Sequence, residues 1–162
     1  MISWVAPLLP RGPIDVSRWL RPLPEDGSVP HLPGWRWLPT PGNAAGHVSF
    51  WRDADRSLVA GDTFITTAQE SAYAVAVQAP ELHGPPMYDT ADWDGARKAV
   101  RWLAAPEPGR VVTGHGPAME GPNMRAALHR LAAEFEQVAV PRQGRYVGHS
   151  ATAEGGGAYV KR

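Results

Sequence analysis

No cysteine occurs among the 162 residues. That excludes disulfides, thiolate metal sites and a cysteine nucleophile, so a metal could be held only by histidine and carboxylate. There is no excess of either charge: 16 basic residues meet 16 acidic ones, for a formal net charge of +0. Nothing in that balance favours nucleic acid or an anionic membrane surface as a partner. No apolar run approaches the roughly 18 residues of a membrane span. The opening "MISWVAPLLPRG" lacks the basic and apolar regions of a signal peptide, so the expectation is a cytoplasmic protein. A long helix is also excluded from the front, where nine prolines fall between Pro7 and Pro41.

What is present fits one domain with a real core. Hydrophobic residues make up 43% of the chain and charged ones 20%, as in ordinary globular proteins. The front, 1–34, reads as a proline-rich extended entry, with a short helix at Asp15–Leu20. Residues 35–140 read as the structured part, and 141–162, small, polar and glycine-rich, as a flexible tail. "WRWLPT" (Trp35–Thr40) and "HVSFWR" (His47–Arg52) have strand character, the second by alternation. "DADR" reads as a hairpin turn, "SLVAG" (Ser57–Gly61) as a short buried strand ending at Asp62, and "VVTG" (Val111–Gly114) as another ending at His115. Between them, 68–77 reads as helical or irregular and Thr90–Ala104 as a helix capped by Thr90. A second helix is expected from Pro122 to about Val138, with Met124, Leu128, Leu131 and Phe135 on one face.

Carboxylate and imidazole at the ends of buried strands are rigidly held yet exposed at a sheet rim, a good place for a catalytic constellation. Gly61, Gly114 and Gly116 would let backbone approach closely around them. Each signal alone is weak. An aspartate after a strand is commonly a turn or cap, and a histidine between glycines can be structural.

In order along the chain stand "PTPGNAAGH" (Pro39–His47), "AGDTF" (Ala60–Phe64) and "TGHGP" (Thr113–Pro117). Together they resemble the second half of the metallo-β-lactamase-fold hydrolases, which carry an H-x-P-G-H-x-x-G-H loop, a strand ending in G-D and a strand ending in G-H-G. The resemblance covers roughly residues 35–138. It implies an α/β (α+β) fold, part of an αββα sandwich, with a mixed sheet and helices on one face. It also implies two zinc ions, or iron or manganese, activating water for attack on an ester, thioester, lactam or phosphodiester. By position Asp62 would bridge the metals, His115 would ligate the second, and His47 would be a supporting histidine. Tyr73, His83 and Tyr88 would line the pocket, with Gln69 and Glu70 nearby.

Two departures stand out. The family's H-x-H-x-D-H segment has no counterpart, since His31 and His83 lack a partner at ligand spacing. Asn43 stands where the family has a metal-binding histidine, and an amide is a poor zinc ligand. Asp62 and His115 are then vestigial ligands, and the chain by itself is expected to bind little or no zinc. The uncovered sheet face would need the tryptophan-rich front, a second copy or a partner chain. Three functions stay open: a hydrolase by descent that is inactive alone, a non-catalytic binding or assembly module, and a drifting relic of a truncated gene.

Overall fold

The computed structural model describes residues 15–68, 80–88, 90–144 and 146–151. Five strands among them form one mixed sheet, β1 (Trp35–Pro39), β2 (Val48–Arg52), β3 (Ser57–Gly61), β4 (Arg110–Thr113) and β5 (Met119–Glu120), in that spatial order. Neighbouring strands are antiparallel except β3 and β4, which run parallel. A parallel pair requires a long crossover. Here it contains α1 (Trp93–Ala104). After β5 come α2 (Gly121–Ala133) and the single turn α3 (Phe135–Val138).

Alternation along the strands separates the two faces of the sheet. Trp51, Leu58 and Val111 lie side by side across β2, β3 and β4 and are almost wholly buried. Onto them pack Trp93, Ala96, Val100 and Leu103 of α1 and Met124, Leu128 and Leu131 of α2. The opposite row, Trp37, Phe50, Val59 and Val112, is only partly covered, and Val112 is 42% exposed. This is a mixed α+β sheet with its helices on one face, as a partial metallo-β-lactamase fold requires. The front segment folds back on the edge strand. The indole Nε1 of Trp37 donates to the Pro24 carbonyl at 2.8 Å, and its backbone amide to the Gly27 carbonyl at 2.9 Å.

Several local expectations shift. The N-cap of α1 is Asp92, not Thr90: its carboxylate accepts from the Asp94 amide at 3.1 Å. Thr90 instead turns both its amide and its hydroxyl to the Pro86 carbonyl. The helix starts after Asp92, itself extended, because the amides of Ala91 and Asp92 are both taken by the Gly42 carbonyl. The second helix breaks at Glu134 (φ −105°, ψ 21°), beyond which the buried ring of Phe135 lies 6.4 Å from that of Trp93. β5 escapes sequence reading because two residues cannot display a period. The helix expected near Asp15–Leu20 is a single 3₁₀ turn, Ser17–Trp19. Most of the stretch 68–77 lies outside the described residues.

The start of α1 joins three parts of the chain. Its Ala91–Asp92 backbone holds the glycine loop through Gly42. From the other side the Ser150 hydroxyl donates to Asp92 and the Ala151 amide to the Ala91 carbonyl, both at 2.8 Å. The tail residues 146–151 therefore have defined contacts, and the remainder of the tail is outside the described residues. No helix of the described residues is long and apolar enough to cross a membrane.

Candidate functional site

Parallel pairing of β3 and β4 brings two strand ends to the same rim. Gly61 stands opposite Thr113, and the Gly114 amide donates to the Gly61 carbonyl at 2.9 Å, extending the ladder by one bond. Between Val59 and Gly61 the register shifts by one residue. Gly61 absorbs the shift with φ +57°, a left-handed conformation that glycine adopts without a Cβ penalty. An extra residue at a strand end re-aims the next side chain, here that of Asp62.

Asp62 Oδ1 lies 3.6 Å from His115 Nε2, with the two side chains 30% and 42% exposed. That carboxylate oxygen is buried and has no hydrogen-bond partner among the described residues. Gly114 is required by this approach, because a Cβ there would collide with Asp62 Oδ1. The loop carrying His115 is fastened from β4 and from the turn after Asp62. The Thr113 hydroxyl donates to the His115 carbonyl at 2.8 Å and the Thr66 amide to the same oxygen at 3.0 Å. The Thr66 hydroxyl donates to the Pro117 carbonyl at 2.6 Å. Gly116 (φ +96°) sits against Thr66, where a Cβ would approach to 2.6 Å.

His47 joins the same site from the glycine loop. Its Nε2 accepts the Asp62 amide at 3.0 Å, and its Nδ1 is 2.9 Å from the Thr40 hydroxyl. Behind it, buried hydroxyls continue from Thr40 to Ser49 (2.9 Å) and from Ser49 to Thr63 (3.2 Å). Ser49 also donates to the Ala60 carbonyl at 3.0 Å. Burial holds the His47 imidazole below the usual histidine range, and the Asp62 charge and the Thr40 main chain offset part of that. The sign follows from linkage. The unfolded chain protonates this ring near pH 6.5 while the folded chain resists, so the unfolded state binds more protons and stability falls as pH drops below about 6.5. Thermal midpoints measured from pH 7.5 to 5 should therefore fall more steeply for the natural chain than for His47→Gln. Parallel curves would contradict this.

The expected residues separate into two groups. Asp62, His115 and His47 come together. Asn43 lies on the same loop, its side-chain Oδ1 buried with no hydrogen-bond partner among the described residues. His83 pairs through its backbone with Ile65, but its ring turns to Glu81 at 3.5 Å, in a cleft walled by Leu131 and Val138. Tyr88 is 85% exposed and lines a separate hollow with Met87 and Tyr146. Tyr73, Gln69 and Glu70 lie outside the described residues. Sequence reasoning misses the hydroxyls of Thr40, Ser49, Thr63, Thr66 and Thr113. The one available signal is that Ser49 shares a strand face with His47; the rest requires the fold.

Among the described residues no group of three or more histidine, cysteine or acidic side chains is placed to hold a metal ion. The Asp62–His115 pair has the right donor chemistry for zinc or iron and a carboxylate oxygen with no hydrogen-bond partner among the described residues. Two donors nevertheless fall short of the three that a catalytic zinc takes from its protein. The described residues do not by themselves make a complete metal centre.

Comparison with known proteins agrees with the motifs. The family model described as the metallo-beta-lactamase superfamily matches residues 2–115. The probable metallo-hydrolase YflN of Bacillus subtilis (strain 168) is 46% identical over 138 residues, 85% of this chain and 52% of YflN. The chain thus spans about half the length of the curated relative it matches. Among solved structures, the metallo-beta-lactamase family protein TTHA1429 of Thermus thermophilus aligns at 20% identity and a TM-score of 0.46, covering 76% of this chain and 41% of that one. TTHA1623, solved in a di-iron-bound form, aligns at 27% identity and a TM-score of 0.42, covering 69% and 46%. Family model, relative and the order of the three motifs agree: the chain belongs to the metallo-beta-lactamase superfamily.

Proposed function

We propose that this chain carries the second half of a metallo-hydrolase centre, with Asp62 and His115 as its ligands and too few donors to hold a metal tightly alone. One observation carries the reading: a carboxylate and an imidazole 3.6 Å apart at the ends of adjacent parallel strands. The buried Asp62 oxygen, without a hydrogen-bond partner among the described residues, supports it, since such an acceptor ordinarily costs stability unless something meets it. Bound between these side chains and further donors, a metal ion would supply an activated water and polarise the scissile group. Zinc is the ion the resemblance suggests, and two ions the number. Asp62 and His115 would contribute charge and direction, held by the His47 and Thr66–Thr113 contacts. Asn43, with an amide in place of an imidazole, weakens the donor set further. That same replacement favours the second reading, a non-catalytic module that keeps the loop for the fold.

Metal analysis tests the reading. Purified chain, dialysed without chelator, should contain well under one zinc or iron per molecule and show no esterase or phosphodiesterase turnover, and Asn43→His alone should not restore it. Zinc titrated into the metal-free chain should nonetheless perturb the His115 ring signals at high concentration, and Asp62→Asn should abolish that response. A stoichiometric metal retained through dialysis would overturn the incompleteness. Absence of any His115 response would overturn the half-site.

A further inference from the structure

The backbone and the ring of His83 lead to different places. Its amide donates to the Ile65 carbonyl at 2.9 Å and its carbonyl accepts the Ile65 amide at 3.1 Å. Two residues earlier, the Glu81 amide donates to the Thr66 carbonyl at 3.3 Å. These bonds fasten the segment 81–83 to the turn that follows Asp62. Gly84 fixes its far end, because a Cβ there would come within 2.4 Å of the Ala139 Cβ and 3.1 Å of its Cα. The segment is thus pinned on both sides by main chain and close packing.

Between this segment, the last turns of α2 and the end of α3 lies a cleft of about 230 Å³. Ala127, Leu131 and Val138 give it an apolar wall, and Glu81, His83 and Arg130 converge on it as polar groups. A pre-formed hollow with an apolar wall and a few convergent polar groups is the usual form of a small-molecule site. Its charges are balanced, one carboxylate against one guanidinium, so a ligand of either net charge would meet a like charge. Arg130 uses Nε toward Glu134 at 3.3 Å, which leaves its terminal nitrogens for a second carboxylate. The His83 Nε2 atom is buried with no hydrogen-bond partner among the described residues, although Glu81 Oε2 is 3.5 Å away. That separation is too long for the two to satisfy each other. A neutral ring protonated on Nδ1 presents a lone pair at Nε2, so a single ammonium, with three N–H donors, can meet both atoms.

We propose that this cleft binds a small zwitterion, an α-amino acid with a short aliphatic side chain. Its ammonium meets Glu81 and His83 Nε2, its carboxylate meets Arg130, and its side chain lies against Ala127, Leu131 and Val138. The size agrees. At about 30 Å³ for each water-sized group, the cleft holds on the order of eight of them, the scale of leucine. The inference does not rest on the proposed half-site, because neither Asp62 nor His115 lines the cleft.

L-leucine titrated into the natural, metal-free chain is the test, followed through the His83 ring signals and the Leu131 and Val138 methyl signals. These should shift together and saturate at millimolar concentration, while the His115 signals stay in place. Isocaproate keeps the carboxylate without the ammonium, and isoamylamine keeps the ammonium without the carboxylate. Each should bind about tenfold more weakly or worse, the loss expected for one charged hydrogen bond. Glycine, which lacks the apolar side chain, should fall short by a similar factor. Glu81→Gln and Arg130→Gln, both on mostly exposed side chains, should weaken leucine binding about tenfold with the melting temperature nearly unchanged. Isocaproate equal to leucine would make this a monocarboxylate site and overturn the proposal. Isoamylamine equal to leucine would remove Arg130 from it and overturn it likewise, and glycine equal to leucine would do the same for the apolar wall. Leucine binding undiminished in both glutamine variants, shifts centred on His115, or a flat titration into the tens of millimolar would each overturn it as well.

Discussion

Phe64→Ala should destabilise the protein by about 3–5 kcal/mol, the range for emptying a buried aromatic site. Phe64 is 0% exposed and belongs to the core cluster with Leu58, Val111 and Met124. Its location makes the effect more than a loss of area. It comes two residues after Asp62, in the turn where the Thr63 amide donates to Ala60, and just before Ile65 pairs with His83. The ring shares the core cluster with Met124 and Leu128 of α2, so its loss would loosen the turn that follows the carboxylate. Against a typical total of about 5–15 kcal/mol, the loss would leave a marginal fold. Guanidinium unfolding followed by tryptophan fluorescence measures it. Val112→Ala, on the partly open face and 42% exposed, is the comparison and should cost far less. Similar midpoints for the two variants would show that Phe64 is not a core anchor.

Gly42→Ala should be the most damaging change that adds only one methyl group. A Cβ on Gly42 would lie 2.5 Å from both the amide nitrogen and the Cα of Ala96, backbone atoms of α1 that cannot swing aside. Gly42 also has φ +151°, where other residues are strained. Overpacking and strain together imply a loss of about 3 kcal/mol. The structural cost would reach the site, because the Gly42 carbonyl is what receives the Ala91 and Asp92 amides. Pushing the loop off α1 would move Thr40 and His47 with it. Gly46→Ala is the control within the same loop. Nothing lies within 4 Å of its added Cβ, so it should be neutral or stabilise by about 0.4–1 kcal/mol through the unfolded chain. Equal stabilities for the two alanine variants would refute the close packing of loop against helix.

Much of the strand layout is legible in the sequence because its signals are local. Ser57–Gly61 matches its expected bounds, β1 and β2 differ by one position at one end, and β4 is displaced by one position at both ends. Alternation and flanking turns need no knowledge of distant contacts. The cap of α1 falls on Asp92 and not on Thr90 for the opposite reason. Which of two good capping residues is used depends on where the preceding amides find partners, and here they find Gly42, about fifty residues earlier. The long helix breaks at Glu134, although its apolar spacing continues smoothly through Phe135. Periodicity reports which side chains want burial and is blind to a change of axis between them.

By itself the sequence determined the kinds of atoms on offer. Without cysteine, the only charged or imidazole donors are carboxylates and histidines, and Asp62 and His115 stand after short apolar strands beside glycines. It also determined the family, because three motifs occur in the family's order. The tertiary structure alone decided that Asp62 and His115 meet, since only the parallel pairing of β3 with β4 brings together residues 53 positions apart in the sequence. It decided too that His47 is turned to the Asp62 amide and that Asn43 Oδ1 is buried without a partner among the described residues. The physical reason is common to these cases. Residue type and local period act along the chain, whereas register, ring orientation and the satisfaction of buried polar atoms are set by groups that only folding makes neighbours.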